Sequence, residues 1–128
     1  MGMNKLPIEK RANILNMLLE GMSMRGVSRV AGVSINTVSK LLVDAGFVCA
    51  RFHDEAVRGV ECTHVQADEI WSFCYAKAQN VKKAKAAPEQ AGDVWTWTAI
   101  DSDSKLIISY LIGDRDGEYA TAFMADLR

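Results

Sequence analysis

Apolar residues at Ile8, Ala12, Leu15 and Leu19 recur at the spacing of one helical face, with Pro7 ahead of them and Gly21 behind, so a first helix is predicted over Ile8–Leu19. Ser23 is placed to cap a second segment, whose Met24, Val27, Val30 and Ala31 form a short apolar face ending at Gly32. Ser34 is placed to cap a third helix, which carries Val38, Leu41 and Leu42 on one side and is expected to end near Gly46. Three helices within about 40 residues bury little unless they pack as one bundle.

Beyond Gly46 the period fades, and FVCARFHDEAVRGVEC reads as a connector with at most one short helix or strand. The predicted division is therefore a helical domain over 1–46, a linker over 47–64 and a second domain over 65–128. In that second domain Val65–Tyr75, Asp93–Asp101 and Leu106–Ile112 have strand composition, and DSDSK between the last two suits a hairpin turn. KAQNVKKAKAAPEQAG, with Pro88 and Gly92, reads as an exposed, mobile loop. After Gly117, Tyr119, Ala122, Phe123 and Leu127 form an apolar stripe, predicting a helix over Glu118–Arg128 that stops in mid-pattern, as if a domain had been cut. The fold class expected is α+β: a three-helix bundle, then three strands and one helix.

Composition changes this picture only where it is uneven. The 128 residues are 49% hydrophobic and 24% charged, which suits a globular chain, and the net charge is −1. Residues 1–60 hold eight Lys/Arg against five Asp/Glu, a net of +3, whereas residues 61–128 hold seven against eleven, a net of −4. A polyanion would therefore meet the front half. No apolar run is long enough to span a bilayer and MGMNKLPIEKR lacks a signal-peptide core, so a cytoplasmic location and no membrane partner are expected. Cys49, Cys62 and Cys74 form no paired motif, and Cys49, His53, Cys62 and His64 match no common zinc spacing, so reduced thiols in ordinary positions are expected.

The stretch MRGVSRVAGVSINTVSKLL sets the small Ser28 four positions before Gly32, with Val33, Val38 and Leu41 at buried positions beyond. That is the spacing of a helix-turn-helix, in which a small residue permits close helix approach and a glycine permits the sharp turn. On such a unit the second helix enters the major groove. Ser34, Asn36, Thr37 and Lys40 are then predicted to face DNA, with Arg25 and Arg29 on the phosphate backbone. The competing reading is a small helical bundle whose polar residues are solvated and which serves protein contacts.

In VQADEIWSFCY, the alternation of a strand sends Asp68 and Glu69 to opposite faces, and an inward acid at Asp68 is expected to need a compensating cation. A helix-turn-helix followed by QADEIWSF, then WTWTAIDSDSKLIISYLIGDR and a helix, resembles the insertion-sequence transposases of the DDE superfamily, closest to the insertion-sequence-one type. The resemblance runs across nearly the whole chain, and Asp68-Glu69-Ile70-Trp71 is its most specific part. It implies the front of a ribonuclease-H-like domain with the 65–75 strand at the centre of the sheet. It also implies Asp68 as the first of three catalytic carboxylates that hold two Mg2+ ions for in-line attack on phosphate. The family's second and third acids follow later elements that this chain does not contain, so the fragment is expected to hold Mg2+ poorly and to recognise DNA without cleaving it. Many relatives also carry a cysteine-paired zinc segment ahead of the helix-turn-helix, which is absent here.

Asp101 and Asp103 are expected to serve the turn between two strands, and Glu69 to be an exposed strand residue. Trp71, Trp95 and Trp97 are expected as core or cross-strand residues rather than base-stacking platforms, with Trp95 and Trp97 on one face. Lys77, Lys82, Lys83 and Lys85 either touch phosphate or keep a loop soluble. The functions left in competition are the N-terminal part of a DNA transposase, a short product that represses transposition, and a helix-turn-helix transcription regulator. The partners implied are double-stranded DNA at element ends, a homo-oligomer formed across an open sheet edge, and full-length transposase, in a bacterial cytosol near the nucleoid.

Overall fold

The computed structural model describes residues 5–128, so the first four residues of the expected 1–46 domain lie outside it. The described elements are α1 (Ile8–Leu19), α2 (Met24–Ala31), α3 (Ile35–Ala56), β1 (Val65–Cys74), α4 (Ala78–Val81), β2 (Gly92–Asp101), β3 (Ile107–Gly113) and α5 (Gly117–Leu127). The fold is thus α+β, with the strands in one antiparallel sheet. The chain separates into two compact units between Ala56 and Val57. No single helix among the described residues is long and apolar enough to cross a membrane.

The helical unit is built around Ile14, Val27 and Val38, one fully buried side chain from each of α1, α2 and α3. Leu6, Met17, Leu18, Met24, Ala31, Val33 and Leu41 pack around them. The face of α1 predicted from its period is therefore not the core face. Ile8 is 73% and Leu19 84% exposed, and the helix is rotated to bury Ile14 with Met17 and Leu18 instead. A short helix with two apolar stripes can bury only the one its neighbours reach, and periodicity alone does not choose between them.

A second correction concerns α3, which does not end near Gly46 but continues to Ala56, taking ten residues of the expected linker. Glycine stops a helix readily where the backbone turns left-handed, as at Gly21 and Gly32 with φ of 84° and 64°, and Gly46 has no such angle. In right-handed backbone it costs only about 1 kcal/mol of propensity. Ion pairs one turn apart, Lys40–Asp44 at 2.6 Å and Arg51–Glu55 at 3.0 Å, flank it on both sides.

The second unit is a meander with strand order β1-β2-β3, in which Asp68 pairs with Thr98, Trp71 with Trp95, and Thr98 with Tyr110. The central strand is therefore β2, and the 65–75 strand expected at the centre lies at an edge. Hairpin connections place sequential strands side by side, so the middle one in sequence is the middle one in space. The expected loop after β1 is partly ordered by α4, whose Ala78 N–H donates to Asp93 Oδ1 at 2.8 Å.

Helix α5 covers the sheet face that carries Trp97, whose ring lies 5.9 Å from that of the buried Phe123. Asp116 caps it by accepting the Tyr119 N–H at 2.9 Å. The Tyr119 ring in turn lies close against Gly113, where a Cβ would stand 1.9 Å from its Cε1. Gly113→Ala is expected to destabilise the second unit by about 1–3 kcal/mol through overpacking. Urea unfolding of this variant alone and with Tyr119→Leu checks the cause, because the cost should shrink once the ring is gone.

Candidate nucleic-acid interface

The geometry of the helical unit begins at the connection between α2 and α3. Only Gly32, Val33 and Ser34 separate the two helices, and the chain turns through 114° between their axes. Gly32 provides the left-handed residue that such a turn needs, at φ 64°. The Ser28 hydroxyl donates to the Val33 carbonyl at 2.6 Å, and the Val33 N–H donates to the Ser28 carbonyl at 3.2 Å. The small side chain at position 28 thus ties the turn together as well as giving room for it, a role its size alone does not reveal.

Ser34 and Thr37 are engaged in starting α3. The Thr37 N–H donates to Ser34 Oγ at 3.1 Å, and the two hydroxyls lie 2.9 Å apart. Ser23 does the same for α2, accepting the Gly26 N–H at 3.1 Å. Of the residues expected to face DNA, Asn36 and Lys40 are exposed one turn apart on α3, and Arg25 and Arg29 are exposed one turn apart on α2. Val43, 53% exposed, extends the Asn36–Lys40 face by another turn and was not singled out from the sequence, although the spacing 36, 40, 43 would have found it. Lys40 is held by Asp44, so its ammonium approaches a phosphate only as that exposed pair opens.

In the second unit the register sends Asp68 and Glu69 to opposite faces, as alternation requires. Asp68 is exposed, and its Oδ1 accepts the neighbouring Glu69 N–H at 2.8 Å. The cation expected beside Asp68 stands instead beside Glu69, whose Oε1 lies 3.4 Å from Arg115 Nε. Glu69 is correspondingly half-buried rather than exposed, because it lies on the face that α5 covers, with Trp97 opposite it on β2. Among the described residues no three His, Cys, Asp or Glu side chains converge as metal ligands. A lone exposed carboxylate that already accepts a backbone N–H does not fit a two-magnesium centre.

Asp101 and Asp103 are turn residues. The Ser104 hydroxyl and backbone N–H donate to Asp101 Oδ2 at 2.5 and 2.9 Å, and Thr63 Oγ1 donates to Asp103 Oδ2 at 2.5 Å. The bond from the Ser104 hydroxyl, then that from its N–H, holds the Asp101 carboxyl below its ordinary value against the opposing effect of burial. Burial, and then the charge of Asp101, pushes the Cys62 thiol up, away from the thiolate form.

Because the folded Asp101 carboxyl is more acidic than an unfolded one at about 3.9, its contribution to stability is complete above that value. It is lost as pH falls through the lower folded value. Urea midpoints for the second unit should therefore fall on acidification below about pH 4, and Asp101→Asn should flatten part of that fall. An identical acid profile in the variant would remove Asp101 from the account.

Of the aromatic residues, Trp95 and Trp97 share a face as expected, with Arg115 over the Trp95 ring at 5.0 Å and the Trp97 Nε1–H donating to the Asp114 carbonyl at 3.0 Å. Trp71 is more open, at 40% exposure, with Lys77 Nζ 5.2 Å above its ring. No protein-family model, curated protein or solved structure matches the chain.

Proposed function

We propose that the helical unit is a helix-turn-helix that binds double-stranded DNA, and that the chain serves DNA recognition in a transposase of the DDE type. The observation that carries this reading is the turn itself: three residues, a left-handed glycine and a 114° change of direction, within the range of helix-turn-helix units. The excess of positive charge in residues 1–60 supports the same face. Asn36 and Lys40 project from α3 toward base edges and the adjacent phosphates, with Val43 available to a thymine methyl. Arg25 and Arg29 hold the backbone, while Ser34 and Thr37 set the angle at which α3 enters the groove.

The transposase part of the proposal is supported by the order of parts: a helical unit, three antiparallel strands with Asp68 on the first, then a helix against one face. Its Mg2+ chemistry is not assigned to this chain, because Asp68 stands without converging carboxylates among the described residues. Fluorescence anisotropy of a labelled duplex over a salt series tests the reading. The expected result is binding whose log affinity falls with log salt by about 0.9 for each phosphate neutralised, on a duplex left uncut when Mg2+ is added. Absence of binding at low salt would refute DNA recognition, and nicking abolished by Asp68→Asn would refute the limit placed on catalysis. Expression from a reporter promoter that is unaffected by the chain would set aside a regulator.

A further inference from the structure

The helical unit leaves apolar surface of a particular form. After Val38 no residue of α3 is fully buried, although the helix runs on to Ala56 and is about 33 Å long. Along that overhang Leu41, Ala45, Val48 and Phe52 are spaced four, three and four apart, the alternation of a heptad seam that faces a partner helix. Val48 is 70% and Phe52 69% exposed. The unburied stripe of α1 lies beside the same seam: Ile8, Ala12 and Leu15 with Leu41, Ala45 and Val48 line a groove of about 650 Å³.

We propose that this groove receives α3 of a second copy of the chain, in a two-fold homodimer whose α3 helices run antiparallel with Ala45 of one opposite Val48 of the other. The register follows from the seam. With Ala45 against Val48, Leu41 meets Phe52 of the second copy, and that ring enters the groove walled by Ile8, Ala12 and Leu15. The flanking charges then agree: Asp44 of each copy faces Arg51 of the other, so the symmetric interface gains two complementary pairs. A parallel pair would set Asp44 against Cys49 and Arg51 against Ala56, with no complement, and charge therefore selects the antiparallel arrangement. Asp44 and Arg51 are held within their own helix by Lys40 and Glu55, in exposed pairs that can be shared across the interface. When Asp44 turns to the second copy, Lys40 is released toward solvent.

This inference does not rest on DNA binding and is tested without DNA, on the full chain, by sedimentation equilibrium over a concentration series. The expected result is a monomer–dimer equilibrium that Asp44→Arg and Arg51→Asp each weaken by at least about tenfold, by bringing like charges together. The double variant Asp44→Arg/Arg51→Asp, which reverses both partners, should return to near the wild-type constant. Far-UV circular dichroism shows whether each variant keeps its helices, and Phe52→Ser provides a second route at an exposed position, with the same weakening expected. A chain that stays monomeric at all concentrations overturns the proposal. So does a dimer indifferent to these changes, as one paired through the edge of β1 would be, or a double variant as weak as the singles.

Discussion

Replacing Ile14 with alanine is expected to leave the helical unit without a stable fold. Among the described residues of this small unit, Ile14 is one of three fully buried side chains, and each of the three helices supplies only one. A buried Ile→Ala change costs about 2–5 kcal/mol. A unit of this size has a total stability of roughly 3–7 kcal/mol at typical values per residue. The loss is therefore of the order of the whole. Leu19→Ala on the same helix, at a position 84% exposed, should move the midpoint by less than about 0.5 kcal/mol. Urea unfolding followed by helical circular dichroism distinguishes the two. Equal effects would mean that α1 is rotated from the orientation described.

The second large effect concerns charge rather than packing. Arg29→Ala with Lys40→Ala is expected to lower affinity for duplex DNA about 10- to 100-fold at low salt and to reduce the salt slope by roughly 2. Both side chains are exposed, so the fold should be unchanged. Lys40 carries a further consequence: its removal strips Asp44 of the cation 2.6 Å away and leaves an uncompensated carboxylate on the same helix. The double variant should accordingly lose more than the two contacts alone imply. Titration by anisotropy at several salt concentrations, with helicity verified, measures both quantities. An unchanged slope would take DNA off this face altogether.

Much of the local structure was legible in the sequence, and the reasons differ by element. Ser23 and Ser34 act through hydrogen bonds to backbone groups three residues away, so chain position alone identifies them as helix starts. The β2–β3 hairpin was readable because DSDSK offers side chains that close a turn on their own backbone, which Asp101 does through Ser104. The polar positions 25, 29, 36 and 40 followed from helical period once the Gly32 turn was placed. What was not legible depended on contacts distant in sequence. Two apolar stripes on α1 are equivalent in composition, and only the packing of α2 and α3 decided that Ile14 would be buried and Ile8 left open. The end of α3 was misread at Gly46 because glycine has one local preference but two backbone outcomes. Arg115 was matched with neither acid in advance, and it reaches Glu69 from 46 residues away.

The α+β class, the three-residue turn and its flanking basic residues were determined by the sequence alone, since each depends on propensities and bonds spanning a few positions. The tertiary structure decided which stripe of α1 became core, which acid of β1 gained a cation, and which strand became central. These outcomes are settled by burial and pairing between segments, and an alternating or helical pattern presents two faces without saying which one another segment will cover.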